Sequence, residues 1–519
     1  MKFKIRRLIV SGAVALLMVS LAACSAGEGG TPDVGVTAAR GDLHVGPLPA
    51  SIDPVATTQR VVGLVAGSVC EGLFANTADL GWSEGLVDKW EYDKDVTYVF
   101  TLRKGVNFHD GSVLTAADVV ASLKRYAASA PGATFGGLVK SIEETGDLQV
   151  TLTLLHPSAA VPALLATPDS AAYIMPASIV ADRDPSDPLQ KLVCTGPYKM
   201  DSYVPDQTVK LSRFDGYTAR TDQSDGAAGK KVAILDTITF DPTDASNALN
   251  LIRTSALDVQ SQLALDQAIS LKNDPSVKPL IIPNASFPLL QLNTKAGLLA
   301  NQKLRQAVLA AINSKEVMAA AAPSSDYYNL DSSLMPPKSP WHSKAGSELY
   351  NQNDPKKSRK LQAEAGYHGE PLRLLYQASD AFTPVVVSQL EAAGFKVQAQ
   401  VLDGPTFTQK RADESQWDMF MSGGSSYGDP LTVVFMSSGF PGWWNTPEKQ
   451  ELMGKLLSGT TQDERFQAWE GLQKLIYEQV PFVRFGGRAQ IDALSTAVDE
   501  YPPFPGSARG FFNVSLKAK

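Results

Sequence analysis

Histidine and cysteine are scarce in this sequence. Its 519 residues include only five histidines and three cysteines. The histidines, at positions 44, 109, 156, 342 and 368, form no H-E-x-x-H motif and no other tight ligand spacing. We therefore expect no metal site and no cofactor, and we assign no catalytic residue.

A block of basic residues is also absent. Lys and Arg number 47 against 54 Asp and Glu, which gives a formal net charge of −7. Proteins that bind nucleic acids usually concentrate positive charge along one face or one segment. The sequence therefore gives no support to a nucleic-acid partner.

The apolar run near the N-terminus, residues 8–21, is short for a membrane span. It follows a basic start and ends at Leu-Ala-Ala-Cys, which resembles a bacterial lipoprotein signal. Residues 1–23 would then be removed and Cys24 would be lipidated; an ordinary secretory signal with an incidental cysteine is the alternative. Residues 24–42 predict a flexible tether. We expect an extracytoplasmic protein anchored to a membrane, in the periplasm or at the cell surface.

The remaining chain is long enough for two or three domains. Hydrophobic residues make up 44% and charged residues 19% of the sequence, which suits a soluble globular protein. Segments that alternate with period 2 are interspersed with segments of helical periodicity. This patterning predicts a mixed α/β fold.

One segment predicts a strand, a turn and a capped helix in succession. Tyr98, Phe100 and Leu102 occupy alternate positions in a stretch rich in β-formers. Thr115 is placed to cap a helix, with Asp118 at the capping-box position three residues later. Between them, the pair His109-Asp110 could be read as catalytic, but the D-G that follows predicts a structural turn.

A βαβ unit is predicted in the second half of the chain. Strands are expected at residues 372–376 and 395–401, with a helix between them that begins at Thr383 and stops at Gly394. Such a unit implies parallel pairing of its strands. A further strand at residues 417–421 leads into a glycine-rich loop.

That loop contains G-S-S-Y-G at residues 424–428, which matches the nucleophile elbow of serine hydrolases. A hydrolase of this type needs an acid and a histidine after Ser426, but no histidine follows His368. A five-residue match is also expected by chance in a chain with 40 glycines. We therefore predict that the protein is not an enzyme.

The segment that begins at Tyr98 also carries a family resemblance. It reads Y-x-F-x-L-R-x-G-V-x-F-H-D-G, followed by T-A-x-D-V and a helix that ends in a basic pair. This long pattern resembles the signature region of the large extracytoplasmic solute-binding proteins, the family 5 receptors of ABC importers for peptides, nickel and oligosaccharides. L-L-Q-L-N-T at residues 289–294 resembles the strand by which relatives cross between lobes.

The resemblance implies a two-lobed α/β fold of the periplasmic-binding-protein type II class (large, cluster C), with an extra subdomain in the first lobe. The first lobe is expected to be discontinuous, at residues 43–80, 195–288 and 486–519. The accessory subdomain is expected at residues 81–194, and the second lobe at residues 289–485.

The same resemblance implies a lipoprotein receptor that captures a small peptide or peptide-like solute between its lobes. It would deliver the solute to an ABC permease and ATPase complex and act as a monomer. One alternative is a non-peptide solute, such as an oligosaccharide, an opine or a metal chelate. Another is a sensory or chaperone-like surface lipoprotein on the same fold.

The ligand site is expected on the glycine-rich segment. In peptide-binding relatives a Trp and, three residues later, an acidic residue occupy the places of Gly423 and Ser426. Dipeptide receptors also hold a carboxylate with an Arg on a helix that corresponds to residues 380–393, which contain no Arg. We therefore expect a ligand that is longer, neutral or held through its backbone. The predicted ligand-binding residues are Gly423, Gly424, Ser425, Ser426, Tyr427, Asp429, Trp443 and Trp444.

The adjacent Trp443 and Trp444 lie in a loop flanked by Gly and Pro. They predict a stacking wall for a sugar, an aromatic side chain or a peptide. In the alternative interpretation, one of the two belongs to the core and the other covers the edge of the lobe.

With Cys24 assigned to a lipid, Cys70 and Cys194 remain in an oxidising compartment. Both fall in segments that resemble the family, since Cys70 precedes E-G-L and Cys194 replaces the first glycine of a G-T-G-P-Y motif. We expect a disulfide between them; two buried free thiols are the alternative.

Overall fold

A computed structural model describes residues 41–57, 60–167, 172–271, 274–322, 324–425, 427–504 and 509–518. The predicted signal peptide, Cys24 and nearly all of the tether lie outside these residues, as does Ser426. No helix within the described ranges is both long enough and apolar enough to cross a membrane.

The strands are numbered in chain order. They are β1 (Asp42–Gly46), β2 (Phe74–Asn76), β3 (Trp82–Glu84), β4 (Val87–Tyr92), β5 (Thr97–Leu102), β6 (Val139–Gly146), β7 (Gln149–Leu154), β8 (Tyr198–Val204), β9 (Thr208–Arg213), β10 (Thr237–Phe240), β11 (Val259–Gln260), β12 (Val277–Leu292), β13 (Tyr328–Asn329), β14 (Pro371–Gln377), β15 (Lys396–Leu402), β16 (Met419–Ser425), β17 (Phe482–Arg484), β18 (Gly487–Ser495), β19 (Val498–Glu500) and β20 (Ser515–Leu516).

The α-helices are numbered in the same way. They are α1 (Arg60–Val69), α2 (Ala116–Ala127), α3 (Ala133–Gly136), α4 (Val161–Leu165), α5 (Ala177–Val180), α6 (Ala248–Arg253), α7 (Leu265–Ser270), α8 (Gln302–Ala311), α9 (Ser314–Ala321), α10 (Pro355–Glu364), α11 (Thr383–Ala392), α12 (Gly404–Arg411), α13 (Pro447–Ser458) and α14 (Gln462–Gln479).

One large sheet runs through both lobes, in the order β15-β14-β16-β12-β18-β11-β1-β10-β9-β8. The long strand β12 belongs to both. Its first half pairs with β18, and its second half pairs with β16 and β17. The change of partner falls at a register shift between Ile282 and Ser286. Residues 289–292, which resemble the crossing strand of relatives, form the end of β12, and the chain returns between β17 and β18.

In the second lobe, helices cover both faces of this sheet. Leu290 and Leu292 of β12 belong to one buried cluster with α8 to α11, whereas Phe287 and Leu289 belong to another with α13 and α14. The alternation follows from the period of 2 in a strand. β14 and β15 pair in parallel on either side of α11, which confirms the predicted βαβ unit.

The accessory subdomain has its own antiparallel sheet, β4-β5-β7-β6, and its own core. The predicted strand, turn and helix are confirmed. Tyr98, Phe100 and Leu102 of β5 are buried, and the backbone N–H of Thr115 donates to Asp118 Oδ2 at 2.9 Å in a capping box at the start of α2. This segment therefore builds the subdomain rather than a ligand site.

A buried ion pair and a disulfide are among the bonds that join the accessory subdomain to the first lobe. A buried ion pair joins Arg125 of α2 to Asp53, with 2.6 Å between Nη2 and Oδ2. A disulfide joins Cys70 to Cys194, with Cα atoms 4.8 Å apart, which is the pairing that the sequence analysis favoured. Closing a loop of this length is worth about 4–5 kcal/mol in the chain-entropy account.

His109 lies beside the disulfide and acts as a turn residue. Its Nδ1 accepts from the backbone N–H of Cys194 at 3.2 Å, so Nε2 carries the proton and donates to the carbonyl oxygen of Gly196 at 3.1 Å. Desolvation lowers the pKa of His109 to about 4, so the ring is neutral at pH 7. The pair with Asp110 is structural.

Candidate ligand-binding cleft

Strand β16 continues through the segment that was predicted to be a glycine-rich loop. Gly423, Gly424 and Ser425 pair with Pro288, Phe287 and Ser286 of β12. A Cβ atom on Gly424 would lie 2.6 Å from the ring of Phe287 and 2.9 Å from the ring of Phe435. Glycine is therefore needed here for close packing in a strand. The predicted loop conformation of these three residues is wrong.

The other side of β16 is only partly paired. β14 meets it at Met419 and Phe420, and within the described part of the chain no strand pairs with that side beyond Phe420. A cavity of about 440 Å³ lies here, which we call the β16 cavity. Gly423, Gly424 and Ser425 all line it. The strand thus presents its backbone to an open space.

Of the described residues that line the β16 cavity, three carry a charge: Asp380, Arg411 and Arg488. Asp380 precedes α11, and its Oδ1 accepts from the backbone N–H groups of Phe382 and Thr383 at 2.9 and 2.8 Å. These bonds fix the carboxylate at the helix N-terminus. They engage only one of its two oxygens.

Arg488 lies on β18 and is partly buried. Desolvation lowers the pKa of its guanidinium, and the charge of Asp380 acts in the opposite direction. Arg411 ends α12, and its guanidinium carbon lies 5.6 Å from the centre of the Phe407 ring. Within the described part of the chain, neither arginine forms an ion pair.

A larger cavity of about 1060 Å³ separates the accessory subdomain from the second lobe, and we call it the interlobe cavity. Tyr126 and Phe135 line one side, and Tyr427 and Val434 line the other. The Val434 side chain is 50% exposed, which leaves apolar surface for a ligand. Arg411 lines both cavities, so the two adjoin at its side chain.

Asp429 does not face the cleft, which corrects its predicted role. It is fully buried, and both carboxylate oxygens lie 2.8 Å from Nη2 of Arg465 on α14. Oδ1 also accepts from the backbone N–H of Leu431. The carboxylate is therefore occupied by a buried ion pair that attaches this loop to α14.

The predicted ligand contact of Trp444 is also wrong. Its side chain is 2% exposed within the second-lobe core, and Nε1 donates to Oε1 of Gln479 at 2.6 Å. Trp443 stacks on the buried Trp417 with 5.5 Å between ring centres and lines neither cavity. The two tryptophans point to different clusters, so they do not form a joint stacking wall.

Gly423, Gly424, Ser425 and Tyr427 line open cavities, and their predicted role in ligand binding stays a prediction. The sequence analysis did not include the charged residues of the cleft. Asp380 begins residues 380–393, where the family resemblance implies an arginine rather than an acid. Arg488 follows the return strand, and only the pairing of β18 with β12 shows that it reaches the cleft. Within the described ranges, no three His, Cys, Asp or Glu side chains are grouped to hold a metal ion.

Two lobes joined by crossing strands, with cavities in the cleft between them, define the class of two-lobed solute-binding proteins. The chain belongs to the family of bacterial extracellular solute-binding proteins, family 5, whose middle region matches residues 82–445. Members of this family bind solutes outside the cytoplasm, so the prediction of a binding protein rather than an enzyme is confirmed.

Curated relatives and a solved structure extend the likeness over most of the chain. The probable peptide ABC transporter periplasmic-binding protein y4tO of Sinorhizobium fredii is 26% identical over 84% of this chain and 86% of its own. The glutathione-binding protein GsiB of Escherichia coli K12 is 24% identical over 92% and 94%. The ABC transporter substrate-binding protein CtaP of Listeria monocytogenes superposes with a TM-score of 0.77 at 20% identity, over 92% of this chain and 100% of that one.

Proposed function

We propose that this protein is the receptor of an ABC importer for a peptide or a peptide-like solute. Family membership supplies the solute-binding role, and the relatives named above include a probable peptide receptor and a glutathione receptor. The observation that carries the proposal for this chain is the half-paired strand β16 beside an open cavity.

A peptide backbone suits this strand for a physical reason. Beyond Phe420, β16 has N–H and C=O groups on its β14 side that no strand of the described chain takes up. An extended peptide can add to such an edge through main-chain hydrogen bonds, with affinity that depends little on its side chains. Gly423 has no side chain to obstruct this approach, which favours ligands longer than a dipeptide.

The interlobe cavity gives such a ligand room to continue. It adjoins the β16 cavity at Arg411 and is bordered by aromatic and aliphatic side chains of both lobes. Apolar side chains or a bulky apolar group of the solute would be buried there, at roughly 25 cal/mol per Å² of apolar surface. The predicted contact with Tyr427 belongs to this part of the cleft.

Closure of the lobes would enclose the bound ligand. The two crossings, between Ile282 and Ser286 and between β17 and β18, form the hinge in this proposal. The backbone N–H of Ala159 in the accessory subdomain donates to the carbonyl oxygen of Gly459 in the second lobe at 2.8 Å. A ligand that bridges the lobes would favour the state that makes this contact.

The cellular arrangement is also part of the proposal. The mature chain would begin at a lipidated Cys24 and stand on a flexible tether, as a monomer, close to its permease and ATPase partners. Tethering raises the effective concentration of a receptor at its partner. The lobe boundaries given in the sequence analysis remain predictions of the same kind.

Native mass spectrometry of the mature protein, purified without refolding, tests the proposal directly. We expect a co-purified peptide or peptide-like mass that is released on denaturation. Thermal shift against pooled peptides follows, because a ligand at 100 times its Kd should add about 2.7 kcal/mol to the free energy of unfolding. Binding of a neutral oligosaccharide or a metal chelate, with none of any peptide, would refute it.

A further inference from the structure

We propose that the β16 cavity binds a zwitterionic solute with a defined polarity, the carboxylate at Arg488 and the ammonium group at Asp380. This inference rests on the proposed function and narrows it. It selects solutes that carry both charges, such as peptides with free ends, over neutral sugars and over peptides with blocked ends.

Arg488 is a partly buried cation without a counterion among the described residues. Its guanidinium is partly removed from water by β18 and the strands beside it, yet within the described residues no carboxylate or hydrogen-bond acceptor is paired with it. The buried arginines of the scaffold differ, since Arg125 and Arg465 each meet a carboxylate at 2.6–2.8 Å and Arg305 donates to three carbonyl oxygens. A desolvated cation without a partner is costly, and an anionic group of a ligand would remove that cost.

Asp380 supplies the complementary charge in the same cavity. Its Oδ1 accepts three hydrogen bonds at the N-terminus of α11, from two backbone N–H groups and from the hydroxyl of Thr383, and these hold the side chain in place. No described donor is bonded to Oδ2. That oxygen is available to accept from an ammonium group.

The separation of the two charges points to a ligand between them. Asp380 and Arg488 interact electrostatically, but they do not form an ion pair within 4.0 Å. They therefore border the cavity from different elements, with the open side of β16 also lining it. A solute with an anionic and a cationic end can neutralise both residues while its backbone meets β16.

The positions of Asp380 and Arg488 in the fold determine the orientation of the bound solute. Asp380 belongs to the loop between β14 and α11 of the second lobe, and Arg488 to the crossing strand β18. The region of the second lobe where dipeptide receptors carry an arginine thus carries an acid in this chain. The ammonium end of the solute is therefore directed toward the second lobe.

The test uses the mature full-length chain and a synthetic pool of tripeptides to octapeptides in three forms: free ends, amidated C-termini and acetylated N-termini. Retained peptide is measured by native mass spectrometry. We expect the wild-type protein to retain the free-ended pool about tenfold more strongly than either blocked pool. Arg488→Gln should lose the preference over the amidated pool, and Arg488→Lys should keep part of it.

The second variant is Asp380→Asn, which keeps a side-chain oxygen that can accept from the backbone N–H groups of Phe382 and Thr383. It should lose the preference over the acetylated pool but keep the preference over the amidated one. The matched controls are Arg359→Gln, on the exposed side of α10, and Asp354→Asn, which caps α10 in the same way. Both controls should retain the wild-type preferences.

The outcomes separate this inference from the proposed function. Suppose that the wild-type protein retains peptides and that Arg488→Gln and Asp380→Asn show the same preferences among the pools as the wild type. The assigned orientation is then wrong, but the proposal of a peptide receptor is unaffected. An exchanged pattern, in which Arg488→Gln affects only the acetylated pool, also overturns the assigned orientation. If the wild-type protein retains no pool, the proposed function fails and this inference fails with it.

Discussion

Two sets of arginines in this protein have opposite surroundings. Arg125 and Arg465 are almost fully buried, and each pairs with a buried carboxylate, Asp53 and Asp429 respectively. Arg411 and Arg488 are only partly buried, line the β16 cavity and have no carboxylate partner among the described residues. The first set stabilises the scaffold, and in our proposal Arg488 of the second set binds the carboxylate of a ligand.

The difference teaches how to assign a role to a charge in this fold. A buried charge needs a counterion or several hydrogen bonds, and removing one partner leaves the other uncompensated. A partly solvated cation without a partner contributes little to stability and is free to recognise a ligand. Stability and ligand selection should therefore respond to different substitutions, and four measurements of stability test this separation.

The largest effect is expected for Asp429→Ala. The substitution leaves the guanidinium of Arg465 buried without its carboxylate. Its Nε still donates to the carbonyl oxygen of Leu456. We expect the free energy of unfolding to fall by about 3–5 kcal/mol. Denaturant unfolding of the mature protein measures it.

The double variant Asp429→Leu with Arg465→Met is the control, since it replaces the ion pair with apolar side chains of similar size. Most of the lost stability should return. If Asp429→Ala costs less than about 1 kcal/mol, Arg465 is solvated in solution and does not belong to the scaffold set.

Arg305→Met should have the next largest effect. Arg305 is buried without a carboxylate in the described structure, and its guanidinium donates to three carbonyl oxygens, those of Leu299, Ala300 and Gln479, at 2.8–3.0 Å. The last of these ends α14, where the helix dipole favours a cation. Desolvation lowers the pKa of Arg305 to about 10, which leaves it charged at pH 7.

Removing this side chain leaves buried carbonyl groups without donors, at a cost of about 2–3 kcal/mol. Urea unfolding at pH 7 gives the value, and Arg305→Lys should recover part of it. A stability equal to that of the wild type would show that water replaces the guanidinium, and the scaffold set would then be limited to carboxylate pairs.

His109 extends the scaffold set to a neutral group and predicts a pH dependence. Its pKa is lowered from the ordinary 6.5 to about 4 in the folded protein. The unfolded chain therefore binds the proton first as the pH falls. The contribution of His109 is fully present above pH 6.5 and is lost progressively between about pH 6.5 and pH 4.

The free energy of unfolding should fall by about 1–3 kcal/mol over this pH range. We expect a value near the lower end, because the ring keeps some exposure to solvent. Thermal unfolding across this pH range, compared with His109→Gln, isolates the contribution of the histidine. Gln cannot titrate, so the variant should lose less stability on acidification than the wild type. Equal pH dependence of the two proteins would contradict the assignment.

Much of the fold could be predicted because many of its strands and helices have short-range sequence signals. The alternation of Tyr98, Phe100 and Leu102 and the capping box of Thr115 and Asp118 are short-range signals, and the structure contains the strand and the helix. The point at which β12 changes its pairing partner could not be predicted from the sequence. It depends on where β18 stops and β16 begins to pair, and residues distant in sequence decide that.

The candidate site was harder to predict than the fold, because its geometry depends on contacts between residues distant in sequence. Gly423 to Ser425 were predicted near the ligand but as a loop, because glycines in sequence do not reveal that β12 pairs with them. Asp429 and Trp444 were predicted to face the solute, yet Arg465 and Gln479 of α14 bury them. Which polar residue lies inside depends on the partner that reaches it in three dimensions.

The smallest effect on stability is expected for Arg488→Gln, and it is the sharpest test of the comparison. Desolvation disfavours the charged form of Arg488 in the folded protein, and the attraction of Asp380 offsets this only in part, since the net pKa shift is downward. The charge therefore carries a cost in the ligand-free protein. Replacing it should leave the free energy of unfolding within about 0.5 kcal/mol of the wild type, or slightly above it. Parallel denaturant titrations with Asp429→Ala measure the contrast, and a loss above about 2 kcal/mol would place Arg488 among the scaffold arginines instead.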